Sequence, residues 1–400
     1  MTDVPGLDTA GLRAWLEREH PELARGTADG GTGGELTASV VAGGRSNLTY
    51  RVDGARVPLV VRRPPLGHVL STAHDMRREH RVVTALAGSP VPVPRTVDVV
   101  DDSDRGEVTG TVFFVMEHVA GTVLSRPGQN SAFTTGGLHA LGIELAQVLA
   151  DLHAVDPAAV GLTDFGRPDG YLDRQVATWR RQYDASRSRP QPRLDALQDR
   201  LAASVPAPGG RAGIVHGDYR LDNAIVAGPP DAPRIAAVLD WEMATLGDPL
   251  VDLGILGLYW DIRGLTGTGG PDDGTGDGSA DADDGALSAV VPGAGYPEFA
   301  ELVDAYAERS GAAPPDLWWY RAFAAYKLAV ILEGIHYRYR AGETVGDGFD
   351  RIGALVAPLA EDGLAHLPST TPSTTPGTTP GTTPGTTSST TPPTTPAGRA

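Results

Sequence analysis

The run Ile214-Val215-His216-Gly217-Asp218-Tyr219-Arg220-Leu221-Asp222-Asn223 passes from apolar residues into a dense polar cluster, and Ala237-Val238-Leu239-Asp240-Trp241-Glu242 repeats that change further along. Each apolar stretch reads as a short strand, so the carboxylates emerge at strand ends, where they can converge in a cleft. Asp218 and Asn223 stand five residues apart, as across a tight loop, and the 17 residues from Asn223 to Asp240 suit a hairpin. Phosphoryl transfer needs such a set. One carboxylate accepts the proton of the attacking hydroxyl, and hard oxygen ligands hold the magnesium that bridges nucleotide phosphates. His216 is placed either to order the loop or to move a proton. Glu242 is placed either to reach the metal or to brace its own loop.

Two kinds of pattern must position these groups. A helix is expected over 7–23, then β-like runs at 36–41, 47–52 and 57–62, separated by the turn residues Gly43-Gly44 and Asp53-Gly54. A helix over 73–86 and β-like runs at 96–100 and 111–116 complete an expected five-stranded antiparallel sheet with one inserted helix. From Leu138 the period turns helical, with Leu141, Leu145, Val148, Leu149 and Leu152 on one stripe. Further helices fit 171–186, 194–204, 251–259, 297–310 and 317–339. The last carries Trp318, Trp319, Phe323, Tyr326, Val330 and Leu332, is apolar almost all round, and is therefore expected to be buried. Asp248 and Asp252 precede or open the 251–259 helix, where a carboxylate caps a helix or accepts from loop amides, and both read as structural support.

Composition narrows the chemistry. Lys+Arg 33 against Asp+Glu 50 leaves a net charge of −17, a field that repels nucleic acid and anionic lipid. Cysteine is absent, which removes disulfides, thiolate nucleophiles and Cys-bearing zinc sites, so any metal must sit on oxygen or histidine. The only lysine is Lys327, so no Gly-Lys-Ser/Thr triplet of a Walker-type loop exists and a Schiff base would have to form there. No Gly-x-Ser-x-Gly elbow anchors a serine hydrolase. No apolar run approaches the roughly 18 residues of a membrane span, and Met1-Thr2-Asp3-Val4-Pro5-Gly6 is unlike a signal peptide. The expectation is a cytoplasmic protein with no nucleic-acid, membrane or evident protein partner. A Gly/Asp-rich stretch at 265–295, without EF-hand spacing, reads as an insertion, and the Thr-Thr-Pro repeats at 367–400 read as a disordered tail.

His216, Asp218 and Asn223 have the His-x-Asp-x-x-x-x-Asn spacing of the protein-kinase catalytic loop. Together with Leu239-Asp240-Trp241-Glu242 and Gly247-Asp248-Pro249-Leu250-Val251-Asp252-Leu253, this resembles the aminoglycoside phosphotransferase and choline kinase superfamily. The resemblance runs over residues 7–364 apart from the insertion. Within it, Gly43-Gly44-Arg45-Ser46-Asn47-Leu48-Thr49-Tyr50, Val61-Arg62-Arg63-Pro64-Pro65, Arg78-Glu79-His80 and Val91-Pro92-Val93-Pro94 are similar to the kinase-like part of some acyl-CoA dehydrogenase fusions. The resemblance implies an α+β, bilobal protein-kinase-like fold. A small N-terminal lobe over 1–118 would carry the five-stranded antiparallel sheet and a helix, and a larger, mainly helical lobe over 119–366 would carry the insertion.

The same resemblance implies roles. Asp218 would be the catalytic base or hydroxyl-orienting carboxylate, supported by His216, and Asn223 and Asp240 would be magnesium ligands. The turn with Gly43, Gly44, Ser46 and Asn47 would cover the nucleotide phosphates, and Met116, Glu117, His118 and Val119 would form the hinge against the base. Arg62 stands where related enzymes carry a lysine, with Glu79 as its partner. Arginine keeps the charge but not the shape, so the exchange is not neutral. The implied activity is magnesium-dependent transfer of the γ-phosphoryl group of ATP, with GTP as the alternative, to a small-molecule hydroxyl. A hydroxyacyl-CoA is the first acceptor to consider and an aminoglycoside the second. A non-catalytic nucleotide-binding regulator and a metal-dependent hydrolase using His216, Asp218, Asp240 and Glu242 stay open beside it.

Overall fold

The computed structural model describes residues 4–24, 35–41, 47–66, 75–207, 212–266, 287–342 and 352–368. Gly43, Gly44 and Ser46, the middle of the acidic insertion and the Thr/Pro repeats from 369 onward lie outside the described residues. Five strands, β1 (Thr37–Val40), β2 (Leu48–Asp53), β3 (Leu59–Arg63), β4 (Thr96–Asp101) and β5 (Val112–Glu117), form an antiparallel sheet in the order β1-β2-β3-β5-β4.

Side chains alternate across a strand, and β3 uses both faces. Leu59 and Val61 enter a core with Trp15, Tyr50 and Phe113, whereas Val60 enters a second one with Met76, Phe114 and Met116. Arg62 follows Val60 in that alternation and so falls on the face covered by helix α3 (Met76–Leu86). Arg63 falls on the other face and donates to the carbonyls of Gly6 (2.8 Å) and Thr109 (2.9 Å). Two adjacent arginines thus have unrelated tasks. Helix α3 begins where Asp75 accepts from the amides of Arg77 and Arg78 at 3.1 and 3.0 Å. Its Met76, Glu79, Val83 and Leu86 recur at helical spacing and are all buried, so one carboxylate occupies a stripe that is otherwise apolar.

The helix expected over 7–23 is two helices, α1 (Thr9–Glu19) and α2 (Pro21–Ala24). Pro21 disfavours helical backbone at His20, which adopts φ −134°, ψ 58° and ends α1.

Beyond β5 the chain is mostly helical: α4 (Thr135–Ala154), α5 (Tyr171–Ser186), α6 (Pro192–Ala203), α7 (Leu250–Thr266), α8 (Phe299–Ser310), α9 (Trp318–Arg340) and α10 (Val356–His366). The stripe Leu141, Leu145, Leu149 and Leu152 of α4 packs with Trp241, Leu253, Leu256 and Tyr306. Helix α9 is sheathed by a second cluster that includes Trp179, Tyr183, Leu197 and Leu359, which makes it the buried helix that its composition demands. Short strands lie among the helices. β7 (Gly213–Val215) pairs antiparallel with β10 (Thr245–Gly247), and β6 (Thr122–Val123), β8 (Ala224–Ala227) and β9 (Arg234–Val238) form a three-stranded sheet in the order β6-β8-β9. The β8–β9 hairpin spans the interval between Asn223 and Asp240.

The insertion expected over 265–295 is shorter at its far end. Ala289 and Val290 are buried in the α4 cluster, and Asn130 donates to the Ala289 carbonyl at 2.8 Å, so this segment belongs to the core. No helix among the described residues is long and apolar enough to cross a membrane.

Register in the sheet depends on the turn between β4 and β5. Asp102, only 3% exposed, accepts from the amides of Glu107 (2.9 Å), Val108 (2.8 Å), Thr109 (2.7 Å) and Gly110 (2.8 Å). Burial alone would raise its carboxyl, but these four amides outweigh it and hold the group below the usual range. A depressed carboxyl contributes stability above the unfolded value of about 4 and loses it as pH falls through the folded value. Asp102→Ala should therefore cost about 2–3 kcal/mol in urea denaturation at pH 7. The gap to wild type should narrow as the pH is lowered below about 4.

Candidate active site

Arg62 on β3 and Glu79 on α3 meet because alternation and helical spacing turn both into the same interface. Their Nη1 and Oε1 atoms are 3.1 Å apart, and Arg62 Nη2 reaches Asp240 Oδ1 at 2.5 Å. One guanidinium therefore spans a helix carboxylate and a carboxylate at the end of the β8–β9 hairpin. Burial opposes the Arg62 charge, yet Glu79 and Asp240 more than restore it and raise the guanidinium above its ordinary value. Glu79 shows the complementary strain. Burial pushes its carboxyl up to about 7, Arg62 pulls it back in part, and the charges of Asp240 and Glu242 add to the rise. Asp240 is the one non-glycine residue with positive φ (64°) among the described residues, a conformation that aspartate tolerates better than most side chains.

The loop after β7 supplies the second half. Asp252, on the first turn of α7 and 0% exposed, accepts from the amides of His216 (2.6 Å) and Gly217 (2.7 Å). His216 is also fully buried. Its Nδ1 accepts from the Asp218 amide at 3.2 Å, which leaves Nε2–H to donate to the Leu239 carbonyl at 2.9 Å. The imidazole packs against Trp241 with centroids 4.6 Å apart. Both ring nitrogens are committed to backbone, so of the two placements open to His216 the geometry favours bracing the two loops over moving a proton. Asn223 then joins the halves. Its Nδ2 donates to the Asp218 carbonyl (2.8 Å) and to Asp218 Oδ2 (3.0 Å), and its own carbonyl accepts from the Leu239 amide at 2.7 Å, one residue before Asp240.

Asp218 is held in a cationic setting. Burial would raise its carboxyl, but Arg220, Lys327, His216 and the Asn223 amide together bring it below the usual range, so it stays ionised at neutral pH. Arg220 Nε lies 3.4 Å from Asp218 Oδ2, and its Nη1 lies 2.8 Å from Asp222 Oδ2. Lys327, the lone lysine, projects from α9 with Nζ donating to the Gly217 carbonyl at 2.5 Å, 5.4 Å from the centroid of the Trp179 ring. Burial lowers the pKa of that ammonium, and Asp218 and Asp252 oppose the loss of charge. Sequence reasoning gave neither cation a place at Asp218. The signal available was a single lysine, in a chain otherwise using arginine, on an apolar helix.

The remaining expected residues divide. Asn47, 3% exposed at the start of β2, donates to Glu242 Oε2 at 2.9 Å, so the far end of the Gly43 turn meets the segment after Asp240. This contact makes Glu242 a brace. Asp248 Oδ1 accepts from the Leu250 amide (3.1 Å) and Oδ2 accepts from the Tyr320 hydroxyl (2.8 Å), which ties the start of α7 to α9. Met116 is core, packed with Val60, Met76 and Phe114. The amides of Glu117 and His118 already donate to the carbonyls of Arg95 (2.8 Å) and Pro58 (2.9 Å), so a base that seeks an amide donor in this stretch must use Val119.

Asn47 Oδ1, Arg62 Nε and Glu79 Oε2 are buried without a hydrogen-bond partner. Buried polar atoms of this kind are rare, and a water, an ion or a polar group of a ligand would satisfy them. No group of three His, Asp or Glu among the described residues is close enough to enclose a metal. The oxygens of Asp240 and Asn223 suit a magnesium ion that takes its other ligands from phosphates and water, which is how that ion is usually held beside a nucleotide.

Residues 37–286 match the family described as phosphotransferase enzymes. Acyl-CoA dehydrogenase family member 11 of Rattus norvegicus is 35% identical over 335 residues, which cover 82% of this chain and 40% of that protein. The chain thus spans well under half the length of the curated relatives it matches, from 28% to 43%. A solved protein from Ralstonia eutropha, named as a candidate aminoglycoside phosphotransferase, is 31% identical with a TM-score of 0.70, over 90% of this chain and 98% of that one. The GDP complex of aminoglycoside 2'-phosphotransferase-IIIa shares the fold at 15% identity and a TM-score of 0.56, over 90% of this chain and all of the other. With more than half of the chain, residues 37–286, matching that family and a relative 35% identical over 82% of it, the chain belongs to the phosphotransferase enzyme family.

Proposed function

We propose that the chain transfers the γ-phosphoryl group of ATP to the hydroxyl of a small molecule, with residues 1–118 as the nucleotide side and 119–366 as the acceptor side. One observation carries the reading: the loops that carry Asp218 and Asp240, at the ends of two separate strands, are joined through Asn223, which bonds Asp218 and, by its carbonyl, the Leu239 amide next to Asp240. Asp218, ionised and restrained by Asn223 and Arg220, orients the acceptor hydroxyl and takes its proton late. A loose transition state asks for positioning more than for a strong base. Asn223 and Asp240 would hold magnesium, which would supply positive charge to offset that on the transferring group. Arg62 leaves Asp240 for the phosphates while Glu79 keeps it anchored, and Asn47 with Glu242 closes the phosphate side.

For the acceptor we favour a hydroxyacyl-CoA, supported by the likeness to acyl-CoA dehydrogenase family members. An aminoglycoside is the second reading, supported by the name of the Ralstonia relative. Turnover on one panel of hydroxyacyl thioesters and aminoglycosides separates them.

Three outcomes test the machinery. Asp218→Asn should leave nucleotide binding nearly unchanged and lower turnover on the order of 10²–10⁴-fold, the range for a lost general base; unchanged turnover would remove Asp218 from the reaction. In thermal-shift titrations, ATP or GTP should raise the melting temperature of wild type in a magnesium-dependent way, because a ligand bound only by the folded state stabilises it. Asp240→Ala should lose the magnesium dependence, and a wild type indifferent to both nucleotides would contradict the proposal. The third outcome concerns pH. Glu79 is protonated below about 7 and ionised above it, so the form that anchors Arg62 gains population as pH rises. Turnover should therefore climb between pH 6 and pH 8 around the Glu79 value of about 7, and Glu79→Gln should be slower and lack that limb.

A further inference from the structure

Three arginines gather around one opening on a chain of net charge −17. Arg78 of α3, Arg167 of the loop before α5, and Arg174 of α5 line a cavity of about 310 Å³, with Gln175 and Thr245 also on its wall. The only carboxylate on that wall, Asp164, is paired with Arg81. The lining is therefore net positive.

Two of the guanidiniums are fixed by carbonyls. Arg78 donates to Phe165 and to Ala244 (3.0 Å), and its guanidinium carbon sits 3.8 Å over the Phe165 ring. Arg174 donates to Arg167 and Asp169. A guanidinium has five N–H groups in a rigid fork, so each keeps donors for an anion once its carbonyls are served. Arg167 is exposed, and its side chain has no hydrogen bond or ion pair to the protein among the described residues. Fixed forks beside an exposed one suit a phosphate, whose several oxygens accept from more than one direction.

Two of the lining residues connect the cavity to the loop that carries Asp218. Gln175 accepts from Trp179 Nε1 at 3.2 Å, Lys327 Nζ lies 5.4 Å from the Trp179 ring centroid, and that Nζ donates to Gly217. On the other side Thr245 is the register partner of Val215, directly before His216. A ligand anchored in the cavity is thus a few side chains away from Asp218. It is also distinct from the Arg62 cluster, which serves the nucleotide.

We propose that this cavity is an anion subsite for the acceptor, taking a phosphate group remote from the hydroxyl that reacts. The inference rests on Asp218 as the point of transfer. It adds that the acceptor carries an anionic handle, which coenzyme A thioesters have and polycationic aminoglycosides lack.

The test is calorimetric titration of the full chain, without nucleotide, using coenzyme A and, separately, inorganic phosphate. Coenzyme A should bind wild type and should bind Arg167→Glu at least roughly tenfold more weakly, the loss expected for one charge-assisted hydrogen bond. Arg167→Gln should fall between them. Circular dichroism melting of each variant at the wild-type temperature shows that the fold is kept. Coenzyme A that fails to bind, or that binds wild type and Arg167→Glu alike, overturns the proposal. Phosphate binding that depends on Arg167 without binding of coenzyme A also overturns it, because the site then serves a free ion. The magnesium-ATP thermal shift on the same samples reads the phosphotransferase proposal by itself, so the two can fail separately.

Discussion

A guanidinium whose side chain is only 11% exposed must be given anions, and the arrangement of the centre follows from how Arg62 obtains them. Water cannot reach the charge well enough to solvate it, and leaving it unpaired is expensive. Glu79 and Asp240 supply the missing anions from two different elements, so one cation ties the five-stranded sheet, helix α3 and the β8–β9 hairpin together. Removing either partner from such a cluster typically costs about 3–5 kcal/mol, because what remains is a buried charge without its match. A lysine could approach both carboxylates as a point charge. The arginine fork instead sets the direction of each pairing, and with it the positions of α3 and Asp240.

The loop of Asp218 answers to a different constraint. Its backbone turns sharply at Gly217, where φ is +87° and a Cβ would come within 2.8 Å of the Met243 carbonyl. Besides its internal bonds the loop is gripped from outside: Asp252 takes its amides, Lys327 its carbonyl, and His216 bridges it to Leu239. Lysine suits the carbonyl because a compact ammonium fits beside one oxygen where a planar fork would need more room. The aspartate that faces the cleft is consequently positioned by residues from α7 and α9, far from it in the chain.

Much of this is legible in the sequence. Period-2 runs marked the sheet, and the family resemblance implied Glu79 as the partner of Arg62, the pairing that alternation along β3 and helical spacing on α3 bring about. The burial of α9 followed from an apolar circumference. Other features were hidden for identifiable reasons. The apolar pattern runs on through Pro21 and hides the break there, so it reads as one helix where there are two. The helix α10 is short, and its Val356, Leu359, Ala360 and Gly363 make a weak stripe. Ala289 and Val290 sit beside a Gly/Asp-rich segment, and composition averaged over 265–295 concealed two core residues.

What the sequence by itself determined is the kind of chemistry: oxygen donors at strand ends, in an order and spacing suited to phosphoryl transfer, without thiols or a Walker lysine. Those are local properties, encoded over a few residues, and they survive without knowledge of the fold. Only the tertiary structure decided which groups touch. It set His216 as a brace, sent Asn47 to Glu242, brought Lys327 from 110 residues away to Gly217, and gathered Arg78, Arg167 and Arg174 around one cavity. Contacts of that range depend on how elements pack and on which buried charges must find partners, and no spacing within a single segment carries that information.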